Sequence, residues 1–268
     1  MNSRGTAARP VQTLVVWAVR DRARHFVRDA MPRRRHRVVT VRDATEFLTA
    51  MRTMLVDVVL VDLGGAGEEA WRVAALAREF PSVPFVALLP GRAADTPAIE
   101  RCIALEFADL LFEGIDDAAA EELLDPLGFS SRFFAALREP PPSLALLPGV
   151  PLDAWQCVVA HAGRPLRTEA IARVLGVTRE HLSRTFGAKG APNLKRVIDL
   201  VRLIAAAELA KNPGYDVGDV ARILGFASSS HLSTTSLRVV GTRPASLARL
   251  RTIDLVDRFV HGRARSRS

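Results

Sequence analysis

The chain has 268 residues, about half of them apolar and a quarter charged, which is room for two globular domains of ordinary composition. No run reaches the roughly 18 consecutive apolar residues of a membrane-spanning helix, and no small-residue cleavage site follows the short N-terminal apolar stretch, so neither a membrane span nor a signal peptide is expected. The net charge of +8 is unevenly spread: residues 1–140 carry 18 Lys/Arg against 20 Asp/Glu, and residues 141–268 carry 19 against 9, which points to a polyanion partner for the C-terminal half.

The N-terminal half alternates apolar and amphipathic segments. Strands are expected at Thr13–Val19, His36–Val41, Asp57–Leu63, Val83–Leu89 and Asp109–Phe112. Helices are expected between them, at Asp21–Met31, Ala44–Met54, Glu68–Phe80, Thr96–Leu105 and Asp116–Leu124. The third and fourth strands are apolar on both faces, as strands buried in a parallel sheet must be. Five such βα units imply a doubly wound, right-handed α/β layer fold over residues 1–125. A linker over 126–150 holds a short helix at Phe129–Arg138, broken by Pro140-Pro141-Pro142. From Pro151 the pattern is all-helical to residue 252, and 253–268 reads as a basic tail. Cys102 and Cys157 are isolated, without metal-ligand spacing, and read as small core residues of a cytoplasmic, reducing compartment. The basic cluster Arg33-Arg34-Arg35-His36-Arg37 lies in the loop before the second strand and reads as a solvated loop, the alternatives being contact with DNA or with an acidic partner surface.

The C-terminal half contains an approximate repeat. Its first copy, residues 167–186, places the small Ala172 four residues before Gly176, where the chain turns and a left-handed backbone is easiest. Thr178 is positioned to cap the next helix. Leu182 and Phe186 share its inward face, and Arg179, Glu180, Ser183 and Arg184 face outward. The second copy, residues 216–241, repeats the spacing with Ala221 and Gly225, a cap at Ser228 or Ser229, and Leu232 as the inward anchor. A single apolar-striped helix connects the copies. An apolar back with short polar or Arg side chains in front is what a major-groove recognition helix needs.

These strings, LGVTREHLSRTF, Arg202, DVGDVARILGFASSSHLS and GTRPASLAR, resemble the DNA-binding domain of the AraC family of transcription regulators over about Leu152–Arg251. The resemblance implies seven helices and two recognition helices entering successive major grooves of double-stranded DNA. It implies base-contacting roles for Glu180, Ser183 and Arg184 in the first copy, and for Ser229, Ser230, Ser233 and Thr234 in the second. Arg179, Lys189, Lys195, Arg196 and Arg238 are the candidates for phosphate contact. The chain departs from the family at Thr234, where Arg is usual, and at Ser236, where Phe is usual. The second recognition helix therefore lacks a strong base reader and part of its core anchor, with Leu237 and Val240 available to compensate. His231 and His161 have no partner at metal-ligand spacing and read as structural.

The N-terminal half, over about residues 10–125, resembles the receiver domains of two-component response regulators. In that family an aspartate accepts phosphate beside Mg²⁺, with a hydroxyl and a lysine nearby. Asp62 ends the third strand here, but Ala18-Val19-Arg20 stands where the acidic pair is needed, Leu88-Leu89-Pro90 lacks the hydroxyl, and Glu113 stands where the lysine belongs. The expectation is a pseudo-receiver in which Asp62 is a strand-end residue, with any ligand at the carboxyl edge of the sheet near Asp62–Gly65 and Pro90–Arg92. No cofactor is expected. RNA polymerase and a second copy, through the N-terminal domain, complete the expected partners. The alternatives are a phosphorylation-dependent regulator using Asp62, an interaction module with degenerate DNA binding, and a nucleotide-type enzyme. The last lacks a G-x-G-x-x-G, a P-loop and any nucleophile–base pair.

Overall fold

The five apolar runs become five strands of one parallel sheet in the order β2-β1-β3-β4-β5. They are β1 (Gln12–Trp17), β2 (His36–Val41), β3 (Val58–Asp62), β4 (Phe85–Leu89) and β5 (Asp109–Phe112). The computed structural model describes residues 11–64, 67–92, 95–116, 118–187 and 191–262. Every residue of β1, β3 and β4 is buried, whereas the edge strands β2 and β5 are only partly so, which is why the central runs read as unbroken apolar stretches. This strand order is that of the flavodoxin-like doubly wound fold, whose switch point lies between β1 and β3.

Helices α1 (Asp21–Ala30), α2 (Ala44–Thr53), α3 (Glu68–Ala75), α4 (Thr96–Ala104) and α5 (Ala120–Leu124) alternate with the strands. One face buries Leu14, Val16, Leu60 and Leu88 against Phe26 and Val27 of α1 and Leu124 of α5. On the other face Phe47 of α2 meets Phe85 of β4, ring centroids 5.9 Å apart. Two helices are shorter than the periodicity suggests. After Ala75 the chain tightens into a 3₁₀ turn at Leu76–Glu79. Asp116 does not start α5, because its carboxylate accepts the Phe112 N–H at 2.7 Å and closes the turn after β5.

The chain divides into two compact units, one built on Val11–Arg132 and the other on Phe133–Lys211 and the residues from Tyr215 onward. The buried Asp57 binds the start of α6 (Phe129–Leu137) to the first unit, its carboxylate accepting the backbone N–H groups of Thr13 and Ser130, both at 2.8 Å. The second unit is helical: α7 (Val150–Ala160), α8 (Thr168–Val174), α9 (Arg179–Phe186), α10 (Leu194–Leu209), α11 (Val217–Ile223), α12 (Ser229–Val240) and α13 (Thr252–His261). The basic tail expected from residue 253 instead begins as α13, which packs on α10 and α12 and buries Leu255, Val256 and Phe259. Their i, i+1, i+4 spacing is a single helical stripe that the surrounding charges masked. No helix among the described residues is long and apolar enough to cross a membrane.

Candidate nucleic-acid interface

Each copy of the repeat is a helix, a tight left-handed turn and a second helix, and the turn follows from one backbone motif. In the first copy the Val177 N–H donates to the Ala172 carbonyl at 3.0 Å and the Gly176 N–H to the Arg173 carbonyl at 3.3 Å. In the second, Phe226 donates to Ala221 at 2.8 Å and Gly225 to Arg222 at 3.0 Å. This pair of bonds is the Schellman closure, which needs a left-handed residue at the position Gly176 and Gly225 occupy, with φ of 66° and 64°. The Ala-x-x-x-Gly spacing is therefore the interval from the first accepting carbonyl to the left-handed residue. At Gly225 a Cβ would also strike the Pro165 ring at 2.3 Å.

The second helix of each copy is capped. Thr178 Oγ1 accepts the His181 N–H and Ser228 Oγ accepts the His231 N–H, both at 3.1 Å. Behind α9, Leu182 and Phe186 are buried, and Arg179, Glu180, Ser183 and Arg184 are exposed. Behind α12, Leu232, Thr235, Val239 and Val240 are buried. In front of it Ser229, Ser230 and Thr234 are exposed and Ser233 half-buried. The Thr234 hydroxyl donates to the Ser230 carbonyl at 3.0 Å, so it is already engaged within the helix.

The cationic candidates differ in freedom. Arg184 and Lys195 are exposed and form no ion pair among the described residues. Arg179 meets Glu169 at 3.3 Å, and Arg238 meets the largely buried Asp199 at 2.9 Å. Arg196 lies over the Phe259 ring, 5.1 Å from its centroid. Lys189 lies outside the described residues.

Two residues singled out in the sequence act as anchors through contacts that local patterns do not show. The Arg202 guanidinium of α10 stacks 3.8 Å from the Phe226 ring centroid and donates to the Leu224 carbonyl at 2.9 Å, so it clamps the second turn to the connecting helix. Burial pulls the Arg202 pKa down, against the neighbouring Asp199. Ser236 is fully buried, and its hydroxyl donates to the Thr242 carbonyl just beyond the left-handed Gly241. Of the two residues expected to compensate for its small size, Val240 is buried but Leu237 is half exposed. His231 rests edge-on against Phe226 at 5.7 Å, and His161 hydrogen-bonds the Cys157 carbonyl at 2.7 Å.

At the carboxyl edge of the sheet, Asp62 is buried and spends its carboxylate internally. Arg20 Nε donates to Oδ1 at 2.8 Å, the Gly64 N–H to Oδ1 at 3.1 Å and the Arg20 N–H to Oδ2 at 3.2 Å. The same guanidinium donates to both carboxylate oxygens of the buried Glu113. Burial would lower the Arg20 pKa, but its hydrogen bonds to Asp62 and Glu113 and their negative charge outweigh it and raise the value above the ordinary arginine range. Asp21, the nearest acidic residue after β1, points to solvent and pairs with Arg24. Among the described residues no group of three or more His, Cys, Asp or Glu side chains could hold a metal ion.

Residues 171–249, within the C-terminal unit, match the family described as "Helix-turn-helix domain". A curated relative, "HTH-type transcriptional regulator GlxA" of Rhizobium meliloti (strain 1021), is 31% identical over 86 residues. The match takes 32% of this chain and spans about a quarter (26%) of the relative's length. Among solved structures, a response regulator from Thermotoga maritima aligns with 46% of this chain and 100% of its own, at 20% identity and a TM-score of 0.39. Full-length FixJ from B. japonicum aligns with 90% of this chain and 98% of its own, at 13% identity and a TM-score of 0.38.

Proposed function

We propose that the chain is a sequence-specific, DNA-binding transcription regulator of the AraC type, with α9 and α12 entering successive major grooves about 34 Å apart. The observation that carries the reading is the duplicated unit: two capped helices, each behind a Schellman turn, each with an apolar back and an exposed polar front. The matched helix-turn-helix family and the basic surplus of the C-terminal half support it.

In this reading Arg184, with Glu180 and Ser183, reads bases from α9, Arg184 through a bidentate contact to guanine. Ser229, Ser230, Ser233 and Thr234 make the weaker contacts from α12. The first unit dominates specificity, because the base-facing residues assigned to α12 are serines and a threonine and its Arg238 is held by Asp199. Lys195, Lys189, Arg196, Arg179 and Arg238 hold phosphates, the last two at the cost of leaving Glu169 and Asp199. The α/β unit serves as a pseudo-receiver whose Asp62 does not take phosphate, since Arg20 already occupies it. RNA polymerase and a second copy, through the α/β unit, are the protein partners.

Genome-wide footprinting with the wild type and an Arg184→Ala variant tests the reading. The substitution is expected to cost about 1–3 kcal/mol at the best site and to relax base choice at one position. Equal occupancy by the variant at every site would remove Arg184 from the interface.

A further inference from the structure

Strand β2 is an edge of the sheet, and its pairing with β1 sets Val38 beside Leu14 and Thr40 beside Val16. Leu14 and Val16 pack under α1, so His36, Val38 and Thr40 continue the same face outward. Between α1 and this strip lies an open cleft of about 580 Å³. That volume falls within the roughly 300–1,000 Å³ typical of small-molecule sites.

The cleft has a consistent chemistry. Ala18, Val27, Met31 and Val38 line it with apolar surface. Val27 of α1 and its cap residue Met31 sit one helical turn apart and present an apolar stripe to the opening, with Arg28 beside them, whereas Arg24, which also lines it, is held by Asp21 at 3.1 Å and by the Ala18 carbonyl at 3.0 Å. Arg33 and Arg37 add further guanidinium groups, and none of the described residues lining the cleft is acidic. Arg28, Arg33 and Arg37 are exposed and form no ion pair among the described residues. The contrast with Arg35 is informative: that side chain is neutralised by Glu121 at 2.7 Å and Asp125 at 3.7 Å. His36, which also lines the cleft, is 3% exposed, yet its Nδ1 has no hydrogen-bond partner.

We propose that the cleft between α1 and β2 binds a free small anion with an apolar body, an aromatic or medium-chain acyl carboxylate. Its charge lies among Arg28, Arg33 and Arg37, and its body lies on Val27, Met31 and Val38. A duplex phosphate backbone has no apolar body to cover that floor, so the site is distinct from the DNA-binding surface. The inference does not depend on the helical unit binding DNA.

The test uses the full chain, with 8-anilino-1-naphthalenesulfonate as a fluorescent probe and decanoate as competitor. Decanoate is expected to displace the probe, while acetate and decyltrimethylammonium at equal concentration do not. An Arg28→Gln/Arg33→Gln double variant should bind decanoate about tenfold or more weakly, the usual loss when charge-assisted hydrogen bonds are removed. Val38→Asp, at an exposed edge position, should weaken it similarly, with the circular dichroism spectrum retained in both. Arg184→Ala should leave the titration unchanged. Wild-type affinity in the double variant, or competition by the cationic amphiphile as strong as by decanoate, would overturn the proposal. So would displacement of the probe by duplex DNA, or co-sedimentation with phosphatidylglycerol vesicles that the double variant loses, which would make the cleft a polynucleotide or lipid-surface contact.

Discussion

Arg20 and Asp62 form a closed ion pair at the switch point of the sheet, the guanidinium lying against Asp62 Oδ1 with Nε at 2.8 Å. Glu113 completes the arrangement from the far end of β5. The three residues come from the ends of three different strands, so Arg20 bridges two buried carboxylates, with the exposed Arg22 also reaching Glu113 at 3.3 Å, at the place where this fold ordinarily binds a ligand. Gly64 makes room for it: a Cβ there would fall 2.3 Å from the Arg20 Cζ.

Removing the cation should expose its structural role. Arg20→Met leaves Asp62 buried without its cation and Glu113 with only the exposed Arg22, and is expected to destabilise the chain by about 3–5 kcal/mol in urea unfolding. The triple variant Arg20→Met/Asp62→Asn/Glu113→Gln should recover most of that loss. A single variant within about 1 kcal/mol of wild type would mean the pair contributes little. In the wild type, acetyl phosphate with Mg²⁺ should leave no phosphoryl group on Asp62 by intact mass, and a persistent adduct there would restore the phosphorylation-dependent reading.

Arg202 should behave as a clamp on the second turn. Arg202→Met keeps most of the stem but loses the Leu224 hydrogen bond and the stacking on Phe226. A cost of about 2–3 kcal/mol is expected, the scale of a charge-assisted hydrogen bond plus a desolvated cation–π contact. Amide hydrogen exchange should quicken at Gly225 and Phe226 before α9 is affected. Uniform loss of protection across the helical unit would assign Arg202 a global role instead.

Salt dependence separates the free cations from the engaged ones. Lys195→Gln should reduce the slope of log binding constant against log salt by about one, the signature of one lost phosphate contact. Arg238→Gln should change the slope less, because Asp199 already holds that guanidinium. Equal changes would show that the Asp199 pair opens on DNA.

His161 should make the helical unit acid-sensitive. Burial lowers its pKa from 6.5, ahead of the opposing hydrogen bond to Cys157 and the like charge of Arg164. The unfolded chain therefore binds more protons over the interval between the two values, and stability rises with pH there. The contribution is complete above about 6.5, the unfolded value, and is lost as pH falls through the folded one. Melting curves of His161→Gln against wild type should converge as the pH is lowered across that interval, and a parallel offset at every pH would exclude the linkage.

Much of the architecture was legible from residue patterns alone. Strands β1, β3 and β4 are buried on both faces, so they appear as unbroken apolar runs, and the Ala-x-x-x-Gly spacing marks both left-handed turns. The cap at Thr178 and the inward pair Leu182 and Phe186 follow from local geometry, which nearby residues dictate without help from the rest of the chain. The helix at Thr252–His261 was hidden because its apolar stripe of Leu255, Val256 and Phe259 is interrupted by Asp254, Asp257 and Arg258.

The sequence by itself determined the elements that depend on short-range forces: strand and helix periodicity, caps, turns and the asymmetry of charge. Only the tertiary structure decided which charges are spent and which are free. Arg20 and Glu113 are 93 residues apart and Arg202 and Leu224 are 22 apart, and no local rule pairs residues at such distances. Electrostatic partners are chosen by where packing brings the ends of elements together, so the occupied Asp62 and the cationic cleft beside β2 emerge only once the sheet is assembled.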